Sequence, residues 1–407
     1  MASIVKKIRT MTLRRLAFGI YARCYQYVHI VWKNLRFAVN SRGESPRVYF
    51  PYERQQLHNT YLGYLVAPPL RYAPIFNAQL INWVNWAPPT NHEYLTLSRP
   101  EPHWIRDVRV PLRPRPYVVE VEHVLALAGR ISDWPYTLGK IDDVNRIIEQ
   151  DRCRCVISAT EGMTRHAKRY VRPDLWHKLD HAYLTFPTQP EYEIESGRPF
   201  TILTISSRFY DKGVPEAIKA YEILRGRHGE AVRMILVSQA VPPGFHLPDG
   251  VTHHTTPRMS DQFKRDIYQS SDVSLLPVYS DTGSCFTESY AYAVPVVTTR
   301  ITHDDEWVKN GVTGFLVDPP FYSYSDDYAI RWKTWEDFQA ACEVASKSGA
   351  FDGVVEQSVH YLEQMISGAV DLEAMRREAR RFHAERFSPE ARNPKLLAIY
   401  AKALSVN

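Results

Sequence analysis

One loop of this chain carries two cations at a position where an anion is expected to bind. Arg208 and Lys212 follow an apolar run, and a helical pattern begins directly after Gly213. The dipole of a helix and the free N–H groups of its first turn attract anions, so two cations beside that end favour a phosphate group. A diphosphate is the expected ligand, although solvated surface charge accounts for the two cations equally well when the loop is taken alone.

A second loop, from Ser280 to Glu288, also leads from an apolar run into a helical pattern. Glu288 falls in the first turn of that helix, where the dipole favours a carboxylate. In one interpretation, Ser284 is the N-cap and Glu288 is its reciprocal partner in a capping box. The spacing of four residues is one too long for that box. A ligand-binding role for Glu288 therefore remains open.

Both loops follow strands of a regular alternation between apolar runs and amphipathic stretches. The expected strands are 201–206, 234–237, 273–276 and 296–299, and the expected helices are 214–228, 260–270 and 284–293. Such alternation predicts an α/β fold with a parallel, doubly wound sheet. The two loops then lie at the carboxyl ends of strands, where sheets of this kind bind ligands.

Four regions follow one another along the chain. Their expected bounds are 1–42 for a basic amphipathic helix, 43–195 for a first α/β domain, 196–375 for a second α/β domain and 376–407 for a helical tail. In the first domain, prolines are expected to break up residues 43–116, and clearer strands follow at 117–121 and 155–158. In the tail, Pro389 and Pro394 are expected to interrupt the helix.

Length and composition limit the class of protein. The 407 residues suffice for two domains, and 44% hydrophobic with 23% charged residues excludes a disordered, collagen-like or disulfide-scaffold chain. No apolar run reaches the roughly 18 residues that a membrane-spanning helix needs. The five cysteines are scattered and no Asn-x-Ser/Thr sequence occurs, as in proteins of a reducing cytosol. A cytoplasmic location is therefore expected.

No metal centre is predicted from these residues. Cys153 and Cys155 lie two apart at the start of an expected strand, but a zinc site would need a second pair of ligands. A buried structural role is expected for both. Adjacent aspartates occur at 142–143, 304–305 and 326–327, and solvated loops account for all three pairs.

The two loops together resemble one known family, the retaining GT-B glycosyltransferases of the large family-four class, also described as glycosyl transferases group 1. Arg208, Lys212 and Gly213 match the Arg-x-x-x-Lys-Gly loop that holds the donor diphosphate in that family. Glu288 matches the second of the family's two glutamates. Further similarity lies in residues 271–277, 295–298 and 306–319, so the resemblance covers about residues 200–320.

The resemblance implies a GT-B fold, in which two Rossmann-like doubly wound domains face a central cleft and C-terminal helices return to the N-terminal domain. Residues 43–195 would bind the acceptor, and residues 196–375 would bind the nucleotide sugar. The implied reaction transfers a hexose from a nucleoside diphosphate sugar to an acceptor hydroxyl, with retention at the anomeric carbon. No cofactor and no metal ion are implied, because Arg208 and Lys212 would stabilise the charge of the leaving diphosphate.

The resemblance also assigns the residues of the site. The implied donor-binding residues are Arg208, Lys212, Gly213, Ser280, Asp281, Cys285, Phe286, Thr287 and Glu288. Among them, Glu288 would hold the ribose hydroxyls, and Arg208 and Lys212 would also be catalytic. His123 follows the expected strand 117–121, where the family often has a histidine near the donor sugar and the reaction centre. His123 is thus the third catalytic candidate, with a purely structural role as the alternative.

One departure from the family leaves other functions open. The first glutamate of the family's pair, which contacts the donor sugar, is replaced here by Ser280, with Asp281 beside it. Ser280 would offer a neutral hydrogen bond, and Asp281 would supply a carboxylate if the loop shifts by one residue. The chain is alternatively a catalytically degenerate nucleotide-binding or assembly subunit of a glycan-synthesis complex, or a sugar-nucleotide epimerase. A nicotinamide enzyme is disfavoured, since no Gly-x-Gly-x-x-Gly occurs.

Basic charge is concentrated in residues 1–42. This segment has a net charge of +9 with no acidic residue, whereas the whole chain has a net charge of +5. Apolar residues recur at steps of three or four between Leu13 and Leu35, which predicts an amphipathic helix. The helix would lie on an anionic membrane surface, pack on the protein body, or serve as a transit peptide. A membrane role would suit a glycolipid or polysaccharide acceptor on the inner face of a membrane, and no nucleic-acid partner is expected.

Removal of residues 2–40 tests the membrane interpretation. We expect the full chain to sediment with vesicles that contain phosphatidylserine and the truncated chain to lose most of this partitioning. The reason is that each Lys or Arg near an anionic surface contributes about 1 kcal/mol to binding. Phosphatidylcholine vesicles are the control, and unchanged partitioning of a folded truncation would contradict the interpretation.

Overall fold

The computed structural model describes the chain in segments between residues 47 and 405. Described are residues 47–51, 71–75, 103–106, 117–121, 124, 127, 138–139, 141–195, 197–238, 241–255, 259–280, 283–301, 304–324 and 331–405. The predicted basic helix of residues 1–42 lies outside the described residues, as do two site candidates, His123 and Asp281.

The N-terminal domain is built on parallel strands. β1 (Arg47–Pro51) pairs with β2 (Arg71–Ile75), and a second sheet has the order β3 (His103–Arg106), β4 (Tyr117–Val121), β5 (Cys153–Ser158) and β6 (Leu179–His181). Two helices, α1 (Ile141–Glu149) and α2 (Glu161–Lys168), flank β5 along the chain. Val119, Ile148 and Val156 belong to the buried cluster between sheet and helices. Cys153 and Cys155 are buried, as the sequence predicts for a structural role.

The strands β1 to β3 differ from the expectation for the proline-rich region. Prolines remove a backbone donor and argue against strands at the level of local sequence. Nevertheless, Pro51 ends β1 and Pro74 lies within β2, which pairs with β1 in parallel register. Strand pairing over a longer range thus outweighs the local propensity of residues 43–116.

The C-terminal domain contains a six-stranded parallel sheet. Its strands are β7 (Phe200–Ser206), β8 (Val232–Ser238), β9 (Val251–His254), β10 (Val273–Leu276), β11 (Val296–Thr299) and β12 (Gly314–Val317). The helices α3 (Val214–His228), α4 (Asp261–Gln269) and α5 (Ser284–Ala291) lie between them in the chain. The spatial order β9-β8-β7-β10-β11-β12 is the 3-2-1-4-5-6 order of a Rossmann fold. The predicted doubly wound sheet is confirmed.

The central strands of this sheet are buried on both faces. Ile202 and Leu203 of β7 and Val273 and Leu275 of β10 all have exposed fractions of 0%. Parallel strands that helices cover on both sides form continuous apolar runs, which explains why these strands are evident in the sequence. Among the described helices, none is both long enough and apolar enough to cross a bilayer.

Four helices follow the sheet: α6 (Trp335–Ser348), α7 (Asp352–Ile366), α8 (Leu372–Arg386) and α9 (Pro389–Ser405). α9 packs on β4 and β5, and Lys395 Nζ lies 3.4 Å from Asp180 Oδ1, so the C-terminal helices return to the N-terminal domain as expected.

The predicted break at Pro389 separates α8 from α9. The predicted break at Pro394 is wrong, since α9 continues through it. Burial of Leu396 and Ile399 offsets the cost of that proline.

A carboxylate of the C-terminal domain caps a helix of the N-terminal domain. Glu306 is 6% exposed and accepts hydrogen bonds from the backbone N–H groups of Glu161 and Gly162, at the start of α2. Arg165 Nη2 lies 3.2 Å from the same carboxylate, and Tyr183 Oη donates to it at 3.1 Å. A carboxylate at a helix N-terminus pairs free amides and complements the dipole. The contact therefore stabilises the packing of the two domains against each other.

His383 makes the stability of this fold depend on pH. The side chain lies on α8 with an exposed fraction of 0%, and burial lowers its pKa from 6.5 to about 4. The unfolded chain binds this proton at a higher pH than the folded chain does. We therefore expect the free energy of unfolding to fall as the pH drops from 6.5 to 4, by about 1.4 kcal/mol per pH unit from this group.

The substitution His383→Asn should flatten that pH dependence. The measurement is urea unfolding at several pH values, and His360→Asn is the matched control because His360 is exposed on α7. The assignment to His383 is contradicted if the slope between pH 4 and 6.5 is the same in His383→Asn as in the unmodified chain.

Candidate functional site

The loop that carries the two cations and the loop from Ser280 to Glu288 meet at the centre of the C-terminal sheet. Arg208 and Lys212 follow β7, and Ser280 follows β10, which is the neighbour of β7 in the sheet. After β7 the strand order runs to one side, and after β10 it runs to the other. The loops therefore lie at the topological switch point, where a crevice opens at the carboxyl ends of the strands.

A glycine permits the close approach of the two loops. Gly213 precedes α3 with φ +63° and ψ 25°, a left-handed conformation that side chains disfavour. A Cβ atom on Gly213 would lie 2.0 Å from the carbonyl oxygen of Pro277, directly after β10. Only glycine fits this position without displacing one loop from the other. The resemblance named Gly213 as a donor-site residue, and the structure shows why the residue type is required.

Both cations of the first loop contact Ser280. Arg208 Nη2 donates to Ser280 Oγ at 3.2 Å, and Lys212 Nζ donates to the Ser280 carbonyl oxygen at 3.1 Å. The guanidinium of Arg208 also lies 4.7 Å from the ring centre of Trp335 at the start of α6, a cation–π contact. The side chain of Arg208 remains 34% exposed. Two positive charges thus lie side by side at the mouth of the sheet, within reach of a bound anion.

Asp211 is a further member of this cluster. Its carboxylate lies 2.7 Å from Arg208 Nε, and Ser280 Oγ and Gln339 Nε2 both donate to it at 3.3 Å. Asp211 is 1% exposed. An aspartate between two cations in a loop looks like ordinary surface charge in the sequence, so its burial is evident only in the folded chain.

Helix α5 begins one residue earlier than a serine cap would require. Gly283 is the N-cap, without a side-chain hydrogen bond, and Ser284 is the first helical residue, so the capping-box interpretation of Ser284 and Glu288 is wrong. A Cβ on Gly283 would lie 2.9 Å from the ring of Trp307. The tight packing of α5 on Trp307 therefore selects a residue without a side chain at the cap.

The side chains in the first turn of α5 are buried or partly buried. Phe286 and Thr287 are buried, and the Thr287 hydroxyl donates to the carbonyl oxygen of Ser284 at 2.9 Å. Burial raises the pKa of Cys285 to about 11, so its thiol is neutral near pH 7. Contacts of these three residues with an anion would come from the N–H groups of the helix N-terminus.

Glu288 lies in a buried ion pair. Its Oε1 is 2.7 Å from Lys264 Nζ, and Tyr268 Oη lies 3.4 Å from Oε2. Glu288 is 5% exposed and Lys264 is 4% exposed. Burial raises the pKa of Glu288, and the neighbouring ammonium of Lys264 opposes that shift. The pair leaves little of the Glu288 carboxylate accessible from the crevice.

Lys264 was not among the residues expected in the site. It lies on α4 at three and four residues from Ile267 and Tyr268, and all three are buried. A lysine on the buried face of an amphipathic helix needs a partner of opposite charge, which is a signal available in the sequence. The identity of that partner, Glu288, depends on the packing of α4 against α5.

His123 and Asp281 lie outside the described residues, and their roles remain predictions. In the described segments, no three His, Cys, Asp or Glu side chains group as a metal site would require.

Comparison with known proteins matches part of this chain to one family and most of it to several solved structures. Residues 199–324 match the family described as Glycosyl transferases group 1. A glycosyltransferase from Rickettsia africae ESF-5 is 13% identical, with a TM-score of 0.53 over 89% of this chain and 100% of that one. Anabaena HepE, solved in complex with UDP-glucose, is also 13% identical, with a TM-score of 0.51 over 89% of this chain and 100% of HepE.

A third solved structure, the GtfA/B complex, is 12% identical with a TM-score of 0.50, and the match covers 74% of this chain. This chain spans 57% of that relative, slightly more than half of its length. No curated protein matches the chain in sequence. At these identities the likeness establishes the fold, so the predicted GT-B architecture is confirmed.

The contact of Gly213 with Pro277 predicts a position-specific effect of an added methyl group. We expect Gly213→Ala to destabilise the protein by about 3 kcal/mol, because it combines a left-handed backbone with a steric clash. Gly226→Ala is the matched control, since Gly226 lies within α3 and nothing lies near its Cβ position. That control should stabilise by up to about 1 kcal/mol. Equal urea midpoints for the two variants would contradict the argument.

Proposed function

We propose that this chain is a group 1 glycosyltransferase, which transfers a hexose from a nucleoside diphosphate sugar to an acceptor hydroxyl. The match of residues 199–324 to that family supports the proposal. One observation carries the proposal. Arg208 and Lys212 lie together at the switch point of a Rossmann sheet, and both contact the loop that leads into α5. Cations and a helix N-terminus thus converge where such sheets bind nucleotides.

The two cations would act on the leaving group. When the bond between the anomeric carbon and the diphosphate breaks, negative charge grows on the diphosphate oxygens. Arg208 and Lys212 are held by contacts to Ser280 of the neighbouring loop. Fixed positive charges stabilise a transition state more than mobile ones, because little reorganisation is needed during the reaction. We infer that this site works without a divalent metal ion or a cofactor.

The remaining residues would bind and orient the donor. Glu288 is proposed to hold the ribose hydroxyls through the small part of its carboxylate that the ion pair with Lys264 leaves accessible. Ser280 stands at the position that contacts the donor sugar in the family. His123 and Asp281 are proposed to lie near the sugar. Retention at the anomeric carbon belongs to the proposal through the family resemblance alone.

The acceptor is proposed to be a glycolipid or a growing polysaccharide. The net charge of +9 over residues 1–42 supports this choice, because it suits the anionic surface at which such acceptors are found. The protein would then act on the cytoplasmic side of a membrane. The packing of the two domains near Glu306 would shield the donor from water and limit hydrolysis.

A second candidate function is a catalytically degenerate subunit that binds nucleotides or assembles a glycan-synthesis complex. The buried state of Ser280, whose exposed fraction is 0%, favours it, because the family's sugar-contacting glutamate has no accessible equivalent at this position. This candidate and the transferase share the nucleotide site and differ in turnover.

Ligand-induced thermal stabilisation is the first test of the nucleotide site. We expect one of UDP, GDP, ADP and TDP to raise the melting temperature by about 2–4 °C at a hundred times its Kd, which corresponds to roughly 2.7 kcal/mol. UDP comes first, because Anabaena HepE was solved with UDP-glucose. Arg208→Ala and Lys212→Ala should each weaken binding roughly tenfold or more, through loss of a charge-assisted hydrogen bond.

Arg377→Ala is the matched control, since Arg377 is an exposed arginine on α8. Binding without turnover of any sugar conjugate would favour the degenerate subunit. A folded protein that none of the four nucleotides stabilises would contradict both candidates.

A further inference from the structure

We propose that Asp211 is a positioning residue of the donor site, which acts on a bound diphosphate through Arg208. Its carboxylate holds the guanidinium of Arg208 and the hydroxyl of Ser280 in one arrangement. The inference rests on the proposed function, because Arg208 is the group through which Asp211 would act.

Burial decides that Asp211 acts through other residues. The residue is 1% exposed, so its carboxylate does not reach a ligand in the crevice. Arg208, by contrast, keeps 34% of its side chain exposed. A buried carboxylate without partners would be strongly unfavourable, and its cost is offset only when charged and hydrogen-bonding groups surround it. The role of Asp211 therefore depends on the residues that its carboxylate contacts.

The partners of Asp211 come from three elements. Oδ2 faces Arg208 Nε at 2.7 Å and accepts from Ser280 Oγ at 3.3 Å. Oδ1 accepts from Gln339 Nε2 of α6 at 3.3 Å. The backbone N–H of Tyr279 donates to the Asp211 carbonyl oxygen at 3.0 Å. One residue thus connects the loop after β7, the loop after β10 and the start of α6.

These contacts orient the planar guanidinium of Arg208. Its Nε lies 2.7 Å from Asp211 Oδ2 in an ion pair without a hydrogen bond, its Nη2 donates to Ser280 Oγ at 3.2 Å, and its Cζ lies 4.7 Å from the ring centre of Trp335. Among the described residues, none accepts a hydrogen bond from Nη1. Because a guanidinium presents its donors in a fixed fork, fixing two sides determines the direction of the third. Nη1 is left to face an anion in the crevice.

The serine at position 280 is compatible with the buried charge of Asp211. With a glutamate there, a second buried anion would lie against Asp211, and like charges at this distance repel. The hydroxyl of Ser280 instead bridges Asp211 and Arg208, because it donates to the one and accepts from the other. Ser280 and Asp211 therefore form one unit with a single negative charge.

This arrangement predicts that affinity and rate respond differently to loss of the carboxylate. Removal of an anion beside two cations raises the positive potential, so nucleoside diphosphate binding should not weaken. Removal also frees the guanidinium to rotate, so stabilisation of the leaving group should fall. A role limited to folding would lower both quantities together, through the fraction of folded protein.

The test uses Asp211→Asn in the full chain, with Glu343→Gln as the matched control. Glu343 and Asp211 line one groove between the first loop and α6, but the carboxylate of Glu343 pairs with Lys347 at 2.5 Å. The readouts are the Kd for UDP, GDP, ADP and TDP by calorimetry, the release of nucleoside diphosphate from the matching sugar conjugate, and the melting temperature. Asp211→Ala is the second variant, judged by the same readouts if Asp211→Asn does not fold.

We expect Asp211→Asn to lower the rate at least tenfold, with a Kd no more than threefold weaker than that of the unmodified chain. Glu343→Gln should keep both values within twofold. On an Arg208→Lys background, Asp211→Asn should lower the rate by less than a further threefold, because the group through which it acts is already altered.

Three results would overturn the inference: an unchanged rate in Asp211→Asn, a parallel loss of rate and affinity, or an equal loss of rate on the Arg208→Lys background. In each of these cases the unmodified chain still binds and turns over a donor, so the proposed function stands. Failure of the unmodified chain to bind or turn over any donor removes the proposed function and the inference together.

Discussion

The site depends on the contact between Gly213 and Pro277. It sets the distance between the loop after β7 and the loop after β10, because any side chain at position 213 would meet a carbonyl oxygen 2.0 Å away. At that distance both cations of the first loop reach Ser280. The parallel pairing of β7 with β10 brings the two loops to the same edge of the sheet, and the glycine lets them meet.

Paired buried charges stabilise the C-terminal domain. Asp272, directly before β10, lies 2.7 Å from both Arg198 and Arg376, so it joins the segment before β7, the sheet and α8. The pair Lys264–Glu288 joins α4 to α5 in the same manner. A buried charge is tolerated when its partners surround it, and loss of one partner leaves the other uncompensated. Of these groups, Lys264 and Glu288 lie beside the crevice, whereas Asp272 lies at the amino end of β10, on the opposite edge of the sheet.

Helix α5 and the contact between the two domains are linked by Trp307. Trp307 packs against Gly283 at the N-cap of α5. Its ring also stacks on the ring of Phe387, directly after α8, with the ring centres 5.1 Å apart. Its neighbour Glu306 caps α2 of the N-terminal domain. A change in the packing of the two domains would therefore displace the N-terminus of α5, which lies beside the proposed diphosphate site. The physical link is the dense packing of large rings, which resists small displacements.

The sequence by itself determined the doubly wound sheet and the two loops of the site. Strands that are buried on both faces form continuous apolar runs, and cations before a helix are visible in the order of residues. The tertiary structure alone decided the partners: Asp211 for Arg208, Lys264 for Glu288 and Glu306 for α2. These pairs join residues of separate elements, or depend on burial that local sequence does not encode. The strands β1 to β3 likewise required long-range pairing to outweigh their prolines.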